Sequence, residues 1–207
     1  MKLDFKLYLI TDRKQTKVPL PDAVRMALQG GVRAIQLREK DLPVRDLLDL
    51  SHELRKLTRQ FGAKLFINDR VDVAVAVDAD GIHLGHQSMP PEAVRKIVGR
   101  DRIIGVSTHN ILEAKAAEAG GADFITFGPV FFTPSKASFG DAVGLEYLKS
   151  ASNAVLIPIY GLGGLKSGNI KQVIAYGAYG VSMISAIFTA DDIQKAAETA
   201  VGEAGRN

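Results

Sequence analysis

Val32-Arg33-Ala34-Ile35-Gln36-Leu37-Arg38-Glu39-Lys40 is the stretch on which the fold turns. Its apolar and β-branched run, Arg33 to Arg38, reads as a strand. Val44 to Phe61 follows, with apolar residues at 44, 47, 48, 50, 54 and 57 marking a long amphipathic helix that Gly62 ends. Side chains alternate along a strand, so Gln36, Arg38 and Lys40 are expected at successive levels of one face. An amide, a guanidinium and an ammonium in a row suit an anionic, hydrogen-bonding small molecule. The competing reading is a strand end whose charges reach solvent.

The same strand-then-helix unit recurs in both directions. Upstream, Lys6 to Thr11 is a strand and Pro19 to Gly30 a helix. Downstream, the expected strands are Ala63 to Asn68, Gly81 to Leu84, Arg102 to Val106, Asp123 to Thr126, Val155 to Ile159 and Gly180 to Ile184. Between and after them the spacing predicts helices from Asp69 to Val77, Pro90 to Val98, Asn110 to Ala119, Leu145 to Ser152, Ser167 to Tyr176 and Asp191 to Ala204. Asn110 is a plausible helix cap, and Gly128 to Gly144 is the longest loop. Eight βα units without a linker or charge block predict parallel strands joined by right-handed crossovers. The expected architecture is a single-domain α/β fold, a (β/α)8 TIM barrel over residues 1–207, with an open doubly wound sheet as the competing topology.

Composition narrows the function classes. Hydrophobic residues are 46% and charged residues 24% of 207, enough apolar material for a sizeable core. Lys plus Arg number 26 against 23 Asp plus Glu, too even a balance for a nucleic-acid-binding stripe. With no cysteine, a disulfide framework, a thiolate zinc site and a cysteine nucleophile are all excluded. The first residues lack a secretory signal and no apolar run nears the ~20 residues of a membrane span, so a cytoplasmic protein without membrane or nucleic-acid partners is expected.

A barrel collects its functional residues at the C-terminal ends of its strands. There the sequence puts Thr11-Asp12, Gln36, Arg38 and Lys40, Asn68-Asp69, His83 to Ser88, Ser107 to His109, Thr133 to Lys136, Tyr160 with the turn Gly161 to Gly164, and Ser182 with Ser185-Ala186. Glycine turns leading into helices after the last two strands suit a phosphate, because bare amides approach it closely. Asp69 is either a Mg2+ ligand or a helix N-cap. His109 could accept a proton; His83 and His86 are strand-end packing or pocket residues.

The motifs Leu9-Ile-Thr-Asp-Arg13, Gln36-Leu-Arg-Glu-Lys40, Ile67-Asn-Asp-Arg70, Gly81-Ile-His-Leu-Gly85, Gly105-Val-Ser-Thr-His109, Gly128 to Lys136, Gly161-Leu-Gly-Gly164 and Val181 to Ile187, in this order, resemble the thiamine phosphate synthase family. The resemblance implies a (β/α)8 barrel that couples hydroxymethylpyrimidine diphosphate to a thiazole phosphate, releasing pyrophosphate. It implies that Gln36, Arg38, Lys40 and Asn68 hold the pyrimidine diphosphate and that Asp69 binds Mg2+. It puts Ser107 and Lys136 on the diphosphate, and Thr133 and Ser135 on the thiazole phosphate with Gly163 or Gly164 and the amides of Ser185, Ala186 and Ile187. Arg38, Lys40 and Lys136 would then stabilise the departing charge.

One segment departs from the family. Where its synthases carry a second acidic metal ligand after the fourth strand, this chain reads Gly85-His86-Gln87-Ser88, and a hydroxyl replaces a carboxylate poorly at a hard cation. That favours the family's other branch, a TenI-like thiazole tautomerase with His109 as the proton-transfer residue. Gln36, Arg38, Lys40 and the Asn68-Asp69 pair favour the synthase. A non-catalytic thiamine-precursor binding protein is the third reading. Phosphorylated small molecules are the expected partners of all three, and homo-oligomerisation is left open.

Overall fold

The computed structural model describes residues 3–133 and 142–205. Eight strands alternate with helices: β1 (Leu7–Ile10), α1 (Leu20–Gln29), β2 (Ala34–Leu37), α2 (Val44–Gln60), β3 (Lys64–Asn68), α3 (Val71–Ala76), β4 (Gly81–Leu84) and α4 (Pro91–Val98) form the first half. The second half is β5 (Ile103–Thr108), α5 (Ile111–Ala119), β6 (Phe124–Phe127), α6 (Gly144–Ala154), β7 (Ile159–Leu162), α7 (Ile170–Ala175), β8 (Gly180–Met183), the short α8 (Ser185–Phe188) and α9 (Ile193–Ala204). Each strand pairs in parallel with its sequence neighbours and β8 closes on β1, giving the expected barrel.

Two apolar clusters divide the work. One lies between the strands and the surrounding helices, and α2 shows how it is built: Leu47, Leu54 and Leu57 recur at helical spacing and turn inward. The other fills the barrel itself with Phe5, Tyr8, Phe66, Phe124 and Tyr160, whose rings meet at 5.1–6.1 Å. Each of three rings faces a glycine in register on a neighbouring strand: Phe66 opposite Gly81, Phe124 opposite Gly105, Tyr160 opposite Gly180. A Cβ on any of these glycines would overlap the ring it faces. Large and small residues thus alternate around the interior, which is how a barrel of this size fills without voids.

The structure moves several expected boundaries. β7 runs Ile159–Leu162, not Val155 to Ile159. The apolar run is split by Pro158, which has no N–H for the ladder, and the N–H groups of Leu156 and Ile157 go instead to Glu118 below the barrel. Leu156 is left 97% exposed. Gly161 and Leu162 therefore belong to the strand, and the turn shrinks to Gly163-Gly164. β2 ends at Leu37, so Gln36 alone of the three polar residues lies on the strand, with Arg38 and Lys40 beyond it. β5 continues through Ser107 and Thr108. α3 begins at Val71 behind Arg70, so Asp69 is not its cap, while Asn110 does cap α5 by accepting from the Glu113 N–H at 2.9 Å. A 3-10 turn at Arg13–Gln15 and α8 had no counterpart in the sequence reading.

Candidate active site

The inward positions change chemistry within two residues. Ala34, Phe66, Gly81, Gly105, Phe124 and Gly180 pack the lower interior; two residues on, toward the C-terminal ends, the same faces carry Gln36, Asn68, His83, Ser107, Thr126 and Ser182. β1 and β7 are the exceptions, with Ile10 two residues after Tyr8 and Leu162 two residues after Tyr160. A polar layer thus lies on an aromatic plug at the mouth of the barrel.

Within that layer, Gln36 Nε2 donates to Asn68 Oδ1 at 3.2 Å. Gln36 Oε1 and Ser182 Oγ are buried with no hydrogen-bond partner. A buried amide oxygen and hydroxyl without partners cost about 1–3 kcal/mol each, and that cost is recovered when a ligand supplies the missing groups. His83 is buried between Tyr8, whose hydroxyl lies 3.3 Å from Nδ1, and Ser107, whose Oγ lies 2.9 Å from Nε2. Burial, and secondarily the charge of Arg38, pushes its pKa down to about 3. His83 is therefore neutral, and it connects the aromatic plug to Ser107. Thr126 Oγ1 adds a longer contact to Ser107 at 3.4 Å.

Around this layer the βα loops form a rim. Asp69 has a left-handed backbone (φ +64), costing about 1–2 kcal/mol for a residue with a Cβ, and its N–H is held by His83 O at 2.9 Å. Its carboxylate is exposed. No cluster of three acidic or histidine side chains exists among the described residues. Ser88 Oγ accepts from the Gly85 N–H at 2.8 Å and so closes its own loop. This donor set suits a hard ion that takes one protein carboxylate and draws its remaining oxygens from a phosphorylated substrate, as Mg2+ does. His109 stands at the end of β5 with Nδ1 3.1 Å from Glu113, which also accepts the His109 N–H at 2.7 Å.

After β6 the chain runs beside β7: Val130 N donates to Leu162 O (2.7 Å) and Phe131 N to Gly163 O (3.1 Å). It returns at Val143, whose N–H bonds Pro129 O at 2.8 Å, closing the root of the loop. Gly163 (φ +97) and Gly164 (φ +64) take conformations that only glycine adopts freely, and a Cβ on either would overlap Pro129 or Phe131. Asn169 Nδ2 ties back Gly164 O at 3.0 Å. A cavity of about 30 Å3 opens here, lined by Ser107, His109, Thr126, Pro129 and Gly163 among others. Ser185, Ala186 and Ile187 form the first turn of α8 next to this end of the barrel.

The structure thus brings buried Gln36 and half-buried Asn68 and Ser107 into one layer, with Arg38 half-buried above His83 and Lys40 exposed at the rim. Thr133 is half-buried at the edge of the described loop; Ser135 and Lys136 lie outside the described residues. Tyr8 and Thr126 join a site the sequence did not assign them to, Ser182 takes its expected place at the end of β8, and His83 proves central. The signal was available: a polar residue two positions after an inward-facing aromatic or glycine, on strand after strand.

A family model described as thiamine monophosphate synthase matches residues 7–187. A putative thiamine-phosphate synthase of Geobacter sulfurreducens is 54% identical over 192 residues, covering 92% of this chain and 90% of that one. The thiamine-phosphate synthase of Clostridium novyi is 43% identical over 200 residues, 96% of this chain and 98% of its own. Among solved structures, a thiamine phosphate pyrophosphorylase from Pyrococcus furiosus superposes with a TM-score of 0.90 at 41% identity, covering 97% of this chain and 96% of that one. With its motifs in order around the mouth of the barrel, the chain belongs to the thiamine monophosphate synthase family.

Proposed function

We propose that the protein is a thiamine-phosphate synthase, joining hydroxymethylpyrimidine diphosphate to thiazole phosphate to give thiamine phosphate and pyrophosphate. One observation carries the reading: Arg38 and Lys40, beside the polar layer, are the cations of the first two βα loops that no carboxylate pairs among the described residues, although Glu39 and Asp41 are their sequence neighbours. A dianionic group completes such a pair.

In this reading Gln36 and Asn68 take the pyrimidine, with the unpartnered Gln36 oxygen accepting from a ring amine. Arg38, Lys40, Ser107 and Lys136 take the diphosphate. The bond between the pyrimidine methylene and the diphosphate oxygen breaks with its electron pair leaving on pyrophosphate, and the thiazole nitrogen lone pair forms the new C–N bond to the resulting cation. Arg38, Lys40 and Lys136 stabilise the charge that builds on the leaving group, so electrostatics rather than a protein nucleophile carries the step. Asp69 would hold Mg2+, which when bound supplies positive charge to the diphosphate oxygens. Thr133, Ser135, Gly163, Gly164 and the amides of Ser185, Ala186 and Ile187 take the thiazole phosphate. No described helix is long and apolar enough to cross a membrane, and we read the protein as a cytoplasmic enzyme of small phosphorylated substrates.

A second reading rests on His109, a half-exposed imidazole at the mouth with Glu113 on Nδ1, the arrangement a thiazole tautomerase needs for proton transfer. Purified protein given both substrates and Mg2+ decides between them: thiamine phosphate and pyrophosphate form, and EDTA stops the reaction. If no product forms while a thiazole carboxylate phosphate isomerises, and His109→Ala abolishes that isomerisation, the tautomerase reading replaces the synthase.

A further inference from the structure

Glu39 lies between Arg38 and Lys40 in sequence, yet its side chain turns the other way and is only 2% exposed. Its carboxylate accepts from the Thr11 hydroxyl at 2.7 Å, from the Arg13 N–H at 3.1 Å and from Arg13 Nη1 at 3.0 Å. Thr11 Oγ1 in turn accepts the Arg38 N–H at 2.9 Å. β2 has ended at Leu37, so no strand partner holds Arg38; its backbone hangs on a hydroxyl whose proton Glu39 directs.

The same loops sort their charges. Arg13 reaches Asp41 through both terminal nitrogens, at 2.6 and 3.0 Å, and Lys14 Nζ lies 2.7 Å from Asp41. These two loops carry Arg13, Lys14, Lys17, Arg38 and Lys40 against Asp12, Glu39 and Asp41; Lys17 pairs with Asp191, and Asp12 accepts from the Lys14 N–H and Gln15 Nε2. Arg13 and Lys14 occupy Glu39 and Asp41, and among the described residues Arg38 and Lys40 are left without a carboxylate.

We infer that Glu39, through Thr11 and Arg13, is a positioning residue that fixes the Arg38 backbone and keeps Arg38 and Lys40 available to a phosphorylated anion. The inference rests on the diphosphate reading of those two cations. Glu39 itself touches no substrate. Breaking the clamp loosens Arg38 and, when Arg13 is removed, strips Glu39 of its cation and leaves Asp41 with Lys14 alone, so that both carboxylates can compete for Arg38 and Lys40.

The test compares Glu39→Gln, Thr11→Val and Arg13→Leu with the unmodified protein. Three readouts are used: KM for each substrate, the dissociation constant for inorganic pyrophosphate with Mg2+ by calorimetry, and Tm. Each variant is expected to raise the KM for the pyrimidine diphosphate and to weaken pyrophosphate binding by roughly tenfold or more, the scale of one charge-assisted hydrogen bond. The KM for the thiazole phosphate stays within about twofold. Arg13→Leu gives the largest loss, and Glu39→Gln, which keeps an acceptor for Thr11, the smallest.

Thr11→Val leaves the carboxylate and its Arg13 pair intact, so it reports on the Arg38 tether even if the Glu39 variant folds poorly. Equal losses for both substrates, or a fall in Tm with unchanged pyrophosphate affinity, overturn the inference. If the unmodified protein binds pyrophosphate but makes no thiamine phosphate, the synthase reading fails while the pyrophosphate comparison still decides on Glu39. If it binds no pyrophosphate, both fail.

Discussion

The two ends of the barrel differ in the groups they leave without a partner. At the N-terminal end, Asp80 directly precedes β4 and Asp123 directly precedes β6. Each accepts the N–H of a residue on the preceding strand, Leu65 at 2.8 Å and Ile104 at 2.7 Å. Each also pairs with an arginine from a covering helix, Arg55 of α2 or Arg95 of α4. Asp78 likewise gathers Arg59 and Arg102. These four arginines each meet a carboxylate within the fold. At the C-terminal end, among the described residues, Arg38 and Lys40 have no carboxylate and Gln36 Oε1 and Ser182 Oγ have no partner, while Asp69, like Asp78 at the other end, has a left-handed backbone. The carboxylates of the first end take up its arginines, leaving the Nε atoms of Arg55 and Arg102 without a partner among the described residues. The second end leaves unmet the interactions that an anionic substrate would complete.

That contrast can be broken from either side. The largest expected effect is on the interior below the polar layer: Phe124→Ala should cost about 3–5 kcal/mol of stability, measured by denaturant unfolding, with kcat/KM per folded molecule little changed. A comparable loss of activity would mean the plug also shapes the site. Next, Arg38→Ala should lower kcat/KM for the pyrimidine diphosphate roughly 100-fold, near 3 kcal/mol of transition-state stabilisation, while Tm stays within a few degrees. A drop in Tm with intact activity would place Arg38 with the structural cations instead.

His83 links the two layers and gives a pH test. Its native pKa of about 3 lies below the ordinary 6.5, so the unfolded chain binds more protons between those values. Its contribution to stability is complete above about pH 6.5 and is lost as pH falls toward about 3, at up to about 1.4 kcal/mol per pH unit. Unfolding titrations should show a shallower acid slope in His83→Gln than in the unmodified protein. An unchanged slope would mean that this imidazole is charged, or solvated, in the native state. The smallest effect is expected at the N-terminal end: Arg95→Leu should cost about 1 kcal/mol and leave both KM values alone.

Much of this was legible in the residues. Eight apolar runs each followed by helical periodicity required parallel strands, and their number and spacing pointed to closure. Gln36, Asn68 and Ser107 stood at strand ends, where a barrel puts its chemistry, and the structure gathers them in one layer. The failures have local causes. Val155 to Ile159 has the right composition for a strand, but Pro158 cannot join the ladder and Glu118, 37 positions before Val155 in sequence, takes the N–H groups ahead of it. Gln36, Arg38 and Lys40 share a parity in the sequence, but β2 pairs only as far as Leu37, so only the first stays on the strand.

The sequence by itself determined the βα repeat, the position of polar residues at the strand ends and the family motifs, because periodicity and turn chemistry act over neighbouring residues. Only the tertiary structure decided which charges cancel. Glu39 and Asp41 sit beside Arg38 and Lys40 in the chain, and pattern alone would pair them. Strand alternation and the packing of β1 against β2 turn Glu39 toward Thr11 and Arg13, and Arg13 with Lys14 takes up Asp41 as well. An ion pair depends on distance across space, and here that distance is set by a neighbouring strand.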